Sequence, residues 1–390
     1  MRYNQLRKRV DKPMQLPHLI WQEPDWPQLR YDEMRISAEI ALARRAQGIV
    51  EGKLAALGFA QRQELAAEAW SQEAVATAAI EGERLDLQAV RSSVGRRLGV
   101  AGSKGPQAAR HVDGLLDIMD DAISNAAVPL SDERLQAWQA ALFPTGFSGM
   151  SKVRVGAYRE HAEPMQIVSG RLGHENIHYE APPSATVPAE MQLLLTWLNR
   201  RQEADSLVQA ALAHLWFETI HPFEDGNGRV GRALIDLVLA RDSGDSSRLI
   251  RISQRLLEQR DDYYRQLELA QHGSLDVTDW ITWFVTQVRV ACEQASLVID
   301  ESLAKARFWF LHRDKELAPR QRKLLNALLD AGPGGFEGGM STKKYEHLSG
   351  ASRATSSRDL IELEQMGLLR RAGAGRSTRY HLNIESWGSE

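Results

Sequence analysis

His221-Pro-Phe-Glu-Asp-Gly-Asn-Gly-Arg-Val-Gly-Arg232 places a histidine, a carboxylate, a glycine-rich turn and two arginines within twelve residues. Phosphate chemistry needs those ingredients together: backbone N–H groups that close around oxygens, cations to offset charge, and a base near the nucleophile. Gly226, Asn227 and Gly228 can adopt the positive φ values of an anion-binding nest, and they lead into a helix expected to begin near Arg229. The orphan donors and dipole of that helix would then point at the same anion. Arg229 and Arg232, three apart, share a helix face. Asp225 stands just before the nest, where a carboxylate can hold Mg²⁺ against phosphate oxygens. His221 closes the preceding helix and has the unperturbed pKa for taking a hydroxyl proton near neutral pH.

Outward from this segment the apolar residues recur at helical spacing. The pattern predicts helices over 32–57, 61–80, 107–125, 187–200, 206–220, 229–240, 254–271 and 276–311, with a turn-rich stretch and a small hairpin between 148 and 183. After Leu317 the order changes to helix, helix, helix and a glycine-tipped hairpin, the order of a winged helix-turn-helix, with a domain boundary expected near 313. The expected fold is therefore mainly α: an N-terminal helical region (1–100), a helical core with a β-hairpin flap (101–312) and a winged-helix-like domain (313–390).

The central segment resembles the signature of the Fic family: His, Phe, an acidic residue, Gly-Asn-Gly-Arg and a second Arg, with every defining position filled. The resemblance implies a protein adenylyltransferase that uses ATP and Mg²⁺ to move AMP onto a Ser, Thr or Tyr hydroxyl of a target protein or of itself. It implies that His221 is the base and that Phe223 packs inward. Asp225 would hold the metal, Gly226, Asn227 and Gly228 would grip phosphates, Arg229 would position them, and Arg232 would hold the outer phosphate. An earlier segment, TAAIEGERL, carries Thr77, Glu81 and Gly82 and resembles the family's inhibitory motif. Glu81 would then pair with Arg232 and keep activity low; placed near an AMP-modified protein it would also suit positioning water for the reverse reaction.

Gly156, Tyr158, Arg159 and the run EPMQIVSG resemble the family's flap, with Met165, Gln166, Ile167 and Val168 as the edge that takes an extended target segment by strand addition. Tyr263 and Tyr264 are candidates to flank the adenine, with core packing the equal alternative. His174, Glu175 and His178 in HENIH satisfy the spacing of zinc hydrolases, a spacing that has meaning only on a helix. Gly170, Gly173, Pro182 and Pro183 leave that helix little room.

Composition narrows the rest. The chain has 390 residues, a formal net charge of −3 and one cysteine, Cys292, so no intrachain disulfide or cysteine-rich zinc site is available. The basic N-terminal stretch MRYNQLRKRVDKPM lacks a following apolar run, and no long apolar segment occurs, so the expectation is a cytoplasmic protein without a membrane span. Between Ala318 and His381 eleven basic residues face six acidic ones. Helix 352–366, with Arg353 and Arg358, and a wing carrying Arg376, would suit DNA. Asp359, Glu362 and Glu364 on the same helix favour protein contact or homodimerisation instead. A transcription regulator with a nucleotide-sensing core is thus the alternative to the enzyme.

Overall fold

The computed structural model describes residues 18–100, 105, 108–171, 174–200, 204–333, 335–336, 338–384 and 387. The basic N-terminal stretch lies outside them. Two compact units divide between Ser296 and Leu297.

In the first unit, Asp32 caps α1 (Glu33–Ala55) by accepting from the N–H groups of Met34 and Arg35. Helix α2 (Phe59–Ile80) ends at Gly82, whose φ of 81° stops it directly after Glu81. Next come α3 (Leu87–Arg97), α4 (Arg110–Ser124) and α5 (Asp132–Leu142). A short hairpin follows, β1 (Phe147–Ser148) with β2 (Ser151–Lys152), and then an antiparallel hairpin of β3 (Gln166–Arg171) and β4 (His174–Glu180).

Helices α6 (Val187–Asn199), α7 (Ser206–Ile220) and α8 (Asn227–Ser243) form the centre, and α7 is buried from Leu207 through Ile220. An apolar helix hidden on every side belongs in a core, and each fully buried leucine there contributes about 1.5–3 kcal/mol. Helix α7 packs on α6 and α8, α8 packs on α4, and α2 packs on α3 and α9 (Ile252–Glu258); α10 (Arg260–Gln271) and α11 (Thr278–Leu311) follow.

The second unit contains α12 (Pro319–Asp330), α13 (Thr342–Ser349), α14 (Arg353–Gln365) and an antiparallel hairpin of β5 (Leu369–Ala372) and β6 (Arg379–Leu382). Met340 forms an isolated bridge to Tyr380 beside that hairpin. Leu324, Leu328, Tyr345, Leu360 and Leu363 are its core.

Several expectations need correction. The stretch 254–271 is two helices broken at Gln259 (φ −112°, ψ 30°), because Glu73 accepts from Ser253 N and Gln254 N and so fixes where α9 starts, while Arg260 is drawn to the Ile80 carbonyl. Helices α3 and α5 were not anticipated, although Asp86 and Ser131 are ordinary N-caps for them. The units divide inside α11 and not at the composition shift near 313, because Ala304, Phe308 and Trp309 pack on the C-terminal core. Among the described residues, no helix is long and apolar enough to cross a membrane.

Candidate active site

Helix α7 ends in a left-handed turn at His221 (φ 51°, ψ 62°), which is the only described non-glycine residue with positive φ. A left-handed histidine costs free energy and persists only where its surroundings hold it. Arg159 does the holding. This buried guanidinium donates to the carbonyls of His221 (2.8 Å), Ile220 (3.1 Å) and Pro182 (2.6 Å) and to the Ser184 hydroxyl (2.8 Å). Burial pushes the Arg159 pKa down to about 10. The same burial, then the charge of Arg159, pushes His221 down to about 3, so the imidazole is neutral and able to accept a proton. Its Nδ1 lies 3.7 Å from Oε2 of Glu218.

The loop after His221 is stapled from within. Phe223 is fully buried, with the Tyr158 ring at 5.4 Å. The Asn227 side chain brackets it: Oδ1 accepts from Phe223 N (2.9 Å) and Nδ2 donates to Phe223 O (2.8 Å). That side chain is therefore committed to the loop, and a phosphate would meet only its main-chain N–H. Of the three nest residues Gly226 alone has positive φ (90°); Asn227 and Gly228 are already the first turn of α8, two residues earlier than expected. Asn227→Ala is expected to lower stability by about 2–4 kcal/mol, because both main-chain groups of a buried residue lose their partner; urea unfolding measures this.

The donors of α8 face a carboxylate from another helix. Arg232 donates through Nε to the Thr77 hydroxyl (2.7 Å) and through Nη2 to the Thr77 carbonyl (2.9 Å) and to Oε1 of Glu81 (2.9 Å). A Cβ at Gly228 would come within 2.1 Å of that Glu81 oxygen, so glycine is what permits the approach. Burial works to raise the Glu81 pKa, but Arg232 and Arg229 together hold it below its ordinary value; the pair is ionised. Arg229 lies over the Phe143 ring and 3.5 Å from Oε2 of Glu83, which also meets His111 at 2.9 Å. Sequence reasoning missed Glu83: the Gly82 turn aims it back at α8, and a turn of that kind has no periodic signal.

A cavity of about 450 Å³ opens over these groups, lined among others by Glu81, His221, Gly228, Arg232, Tyr264 and Ile167. Tyr263 also lines it, but is 2% exposed with its hydroxyl 2.8 Å from His214 Nε2. Tyr264 lies beneath the Arg260 guanidinium (5.2 Å), and Arg260 donates twice to the Ile80 carbonyl at the end of α2. At the flap, Met165 precedes β3 and is buried with Leu19, Tyr179 and Ala181, an apolar seat that removes its side chain from the edge. Gln166, Ile167 and Val168 lie in β3, with a register shift between Ile167 and Val168. The Tyr179 hydroxyl donates to the Thr219 carbonyl and ties the flap to α7.

The HENIH segment is strand β4, not a helix. Successive residues of a strand rise about 3.3 Å, so His174 and His178 stand about 13 Å apart along it and cannot share a tetrahedral zinc. The zinc hydrolase reading is thereby corrected; the side chains of His174 and Glu175 lie outside the described residues. Asp225 does fit a magnesium ion: its Oδ1 is oriented by Gly226 N (2.6 Å), and one carboxylate completed by phosphate oxygens and water is the usual protein share for that ion.

Residues 129–239 match the Fic/DOC family, and residues 19–100 match DUF4172, a domain of unknown function. A probable protein adenylyltransferase of Aquifex aeolicus is 32% identical over 101 residues, 26% of this chain and 29% of that protein. The protein adenylyltransferase fic-1 of Caenorhabditis elegans is 34% identical over 91 residues, 23% of this chain and 17% of its own length. The chain thus spans under a third of these curated relatives. A crystal structure of a Fic family protein from Desulfovibrio desulfuricans superposes over 88% of this chain and 95% of that one, with a TM-score of 0.51 and 22% identity, a likeness of fold.

Proposed function

We propose that this chain, which carries a Fic domain at residues 129–239, is a protein adenylyltransferase that moves AMP from ATP to a Ser, Thr or Tyr hydroxyl and is restrained by Glu81. One observation carries the reading: Glu81 occupies Arg232 at the mouth of the helix that would receive a triphosphate, in the same cavity as His221. A structural ion pair has no need of a cavity, a glycine cut to its shape and a neutral base beside it.

In the reaction, His221 removes the target's hydroxyl proton through Nε2, the ring nitrogen turned away from Glu218. The hydroxyl oxygen bonds to the α-phosphorus, and the bond from that phosphorus to the β-phosphate's bridging oxygen breaks, releasing pyrophosphate. The main-chain N–H groups at the start of α8 and the Arg229 guanidinium hold phosphate oxygens, and Arg232, once released, holds the outermost. Asp225 would hold Mg²⁺, which offsets charge on the departing pyrophosphate. Strand β3 offers an edge for an extended target segment. Incubation of the Glu81→Gly protein with ATP labelled at the α- or γ-phosphate tests the proposal. Covalent label only from the α position is expected; label only from the γ position would make it a phosphoryl transferase, and label from neither would remove the activity.

A second reading concerns residues 297–390, which we read as a winged helix-turn-helix that binds duplex DNA. The acidic residues of α14, which argue against DNA, each have a partner within this unit, and one of them is buried. Asp359 is 1% exposed and accepts from Arg320 (2.6 and 2.9 Å) and the Tyr345 hydroxyl (3.0 Å). Glu362 accepts from Gln321, and Glu364 lies 3.5 Å from Arg371. Arg353 and Arg358 remain exposed on the same helix; the Arg376 side chain lies outside the described residues. Arg353→Ala with Arg358→Ala is expected to weaken binding to a mixed-sequence duplex at low salt by about tenfold and to flatten its salt dependence. Parent protein that ignores duplex and self-associates instead would make this unit a dimerisation module.

A further inference from the structure

Glu218 stands three residues before His221 on the last turn of α7, a position with no evident work in a helix end. The left-handed turn at His221 swings the imidazole back along its own helix, so that Nδ1 comes to 3.7 Å from Glu218 Oε2. The other oxygen, Oε1, is buried and has no hydrogen-bond partner. A buried carboxyl oxygen left in that state costs free energy and calls for a reason. Across from it, a Cβ on Gly231 would reach within 2.4 Å of Oε1, so α8 has a glycine where the carboxyl needs room. Glu218 also lines the cavity.

We propose that Glu218 is a positioning residue for His221: its main chain holds the ring, and its carboxyl faces the Nδ1 edge and, when ionised, offsets the positive charge formed as Nε2 takes the target hydroxyl's proton. This rests on the transfer reaction of the preceding subsection. A histidine whose charged form is penalised this strongly is a weak base, and base catalysis is most efficient when the base's pKa lies near the working pH. The Glu218 main chain already hydrogen-bonds the His221 ring and favours its charged form, and an ionised carboxylate at 3.7 Å adds to that stabilisation.

The charged and titratable groups facing Glu218 are Arg232 from α8, Glu81 from the end of α2, His214 from its own helix, and Tyr263 and Tyr264 from α10. Burial raises the Glu218 pKa to about 8; Arg232 opposes this and Glu81 adds to it. In the resting protein Glu218 is thus mostly neutral at neutral pH. Removing Glu81 takes away one of the negative charges that hold Glu218 in its neutral form.

The test uses the full chain carrying Glu81→Gly, alone or with Glu218→Gln or Glu218→Asp. The rate of AMP transfer is expected to rise with pH along a limb that follows ionisation of Glu218. Glu218→Gln should remove that limb, lowering the rate about tenfold on its alkaline side and less than about twofold on its acid side, with ATP affinity unchanged. Glu218→Asp should keep the limb in weakened form. Independently of any turnover, the His221 ring nitrogen NMR shifts should move along the same limb and stand still in Glu218→Gln. A pH-independent loss of rate in Glu218→Gln, or His221 shifts identical in both proteins, would overturn the proposal. Absence of transfer from the Glu81→Gly protein at every pH would instead defeat the adenylyltransferase reading, leaving the His221 shifts to decide the role of Glu218.

Discussion

Replacing His221 with alanine in the Glu81→Gly protein is expected to lower AMP transfer by about 10²–10⁴-fold, to the level of the protein-free control. The imidazole is 2% exposed, neutral and positioned in the cavity, while the groups suited to phosphates, namely the start of α8, Arg229 and Arg232, are other residues. ATP affinity should therefore stay within about twofold, because loss of a group that acts on the hydroxyl alone removes transition-state stabilisation and spares ground-state binding. Alanine in the left-handed position of His221 adds strain, so His221→Asn, which tolerates that conformation better, separates loss of the base from loss of the turn. Rates from α-labelled ATP and nucleotide titrations on the same preparations measure both quantities. Transfer by His221→Asn within tenfold of its parent would remove histidine from the mechanism.

The opposite effect is expected from Glu81→Gly, which should raise self-modification by about 10–100-fold, the equivalent of about 1.4–2.7 kcal/mol. The carboxylate occupies Arg232 at 2.9 Å, and a γ-phosphate must displace it before that guanidinium can serve the substrate. A charge-assisted hydrogen bond of this type contributes about 1.5–3 kcal/mol, which sets the range. The same change leaves Arg232 buried with only the Thr77 hydroxyl and carbonyl. Its melting temperature should accordingly fall without nucleotide and recover with ATP, which replaces the lost counter-charge. An unchanged rate together with an unchanged melting temperature would mean that Glu81 neither inhibits nor neutralises. Full inhibition surviving in Glu81→Gly but lost in Glu81→Gly with Glu83→Ala would shift the restraint to the Glu83 contact with Arg229.

Much of this site was legible before any coordinates, and the reason is locality. His221, Asp225, Gly226, Asn227, Gly228, Arg229 and Arg232 lie on one helix end, one turn and one helix start, where spacing alone decides which groups meet. Glu81 was legible only through resemblance, because nothing local says that α2 ends against α8. Gly82 marks the stop; the partner is 151 residues away. Boundaries fared less well: the break at Gln259 depends on Glu73 reaching the start of α9, a contact between distant segments that periodicity cannot register.

The sequence by itself thus determined the helical class, a turn suited to phosphate and a histidine beside it as the candidate base, since each rests on neighbours a few residues apart. Tertiary structure decided what those residues are doing at rest. It spent the Asn227 side chain on Phe223, turned HENIH into a strand, buried Met165 beneath the flap, and buried Asp359 of α14 against Arg320. It also set Glu81 and Glu218 around one guanidinium and swung His221 back toward the second of them. Burial and long-range charge set these outcomes, and both are properties of the folded chain.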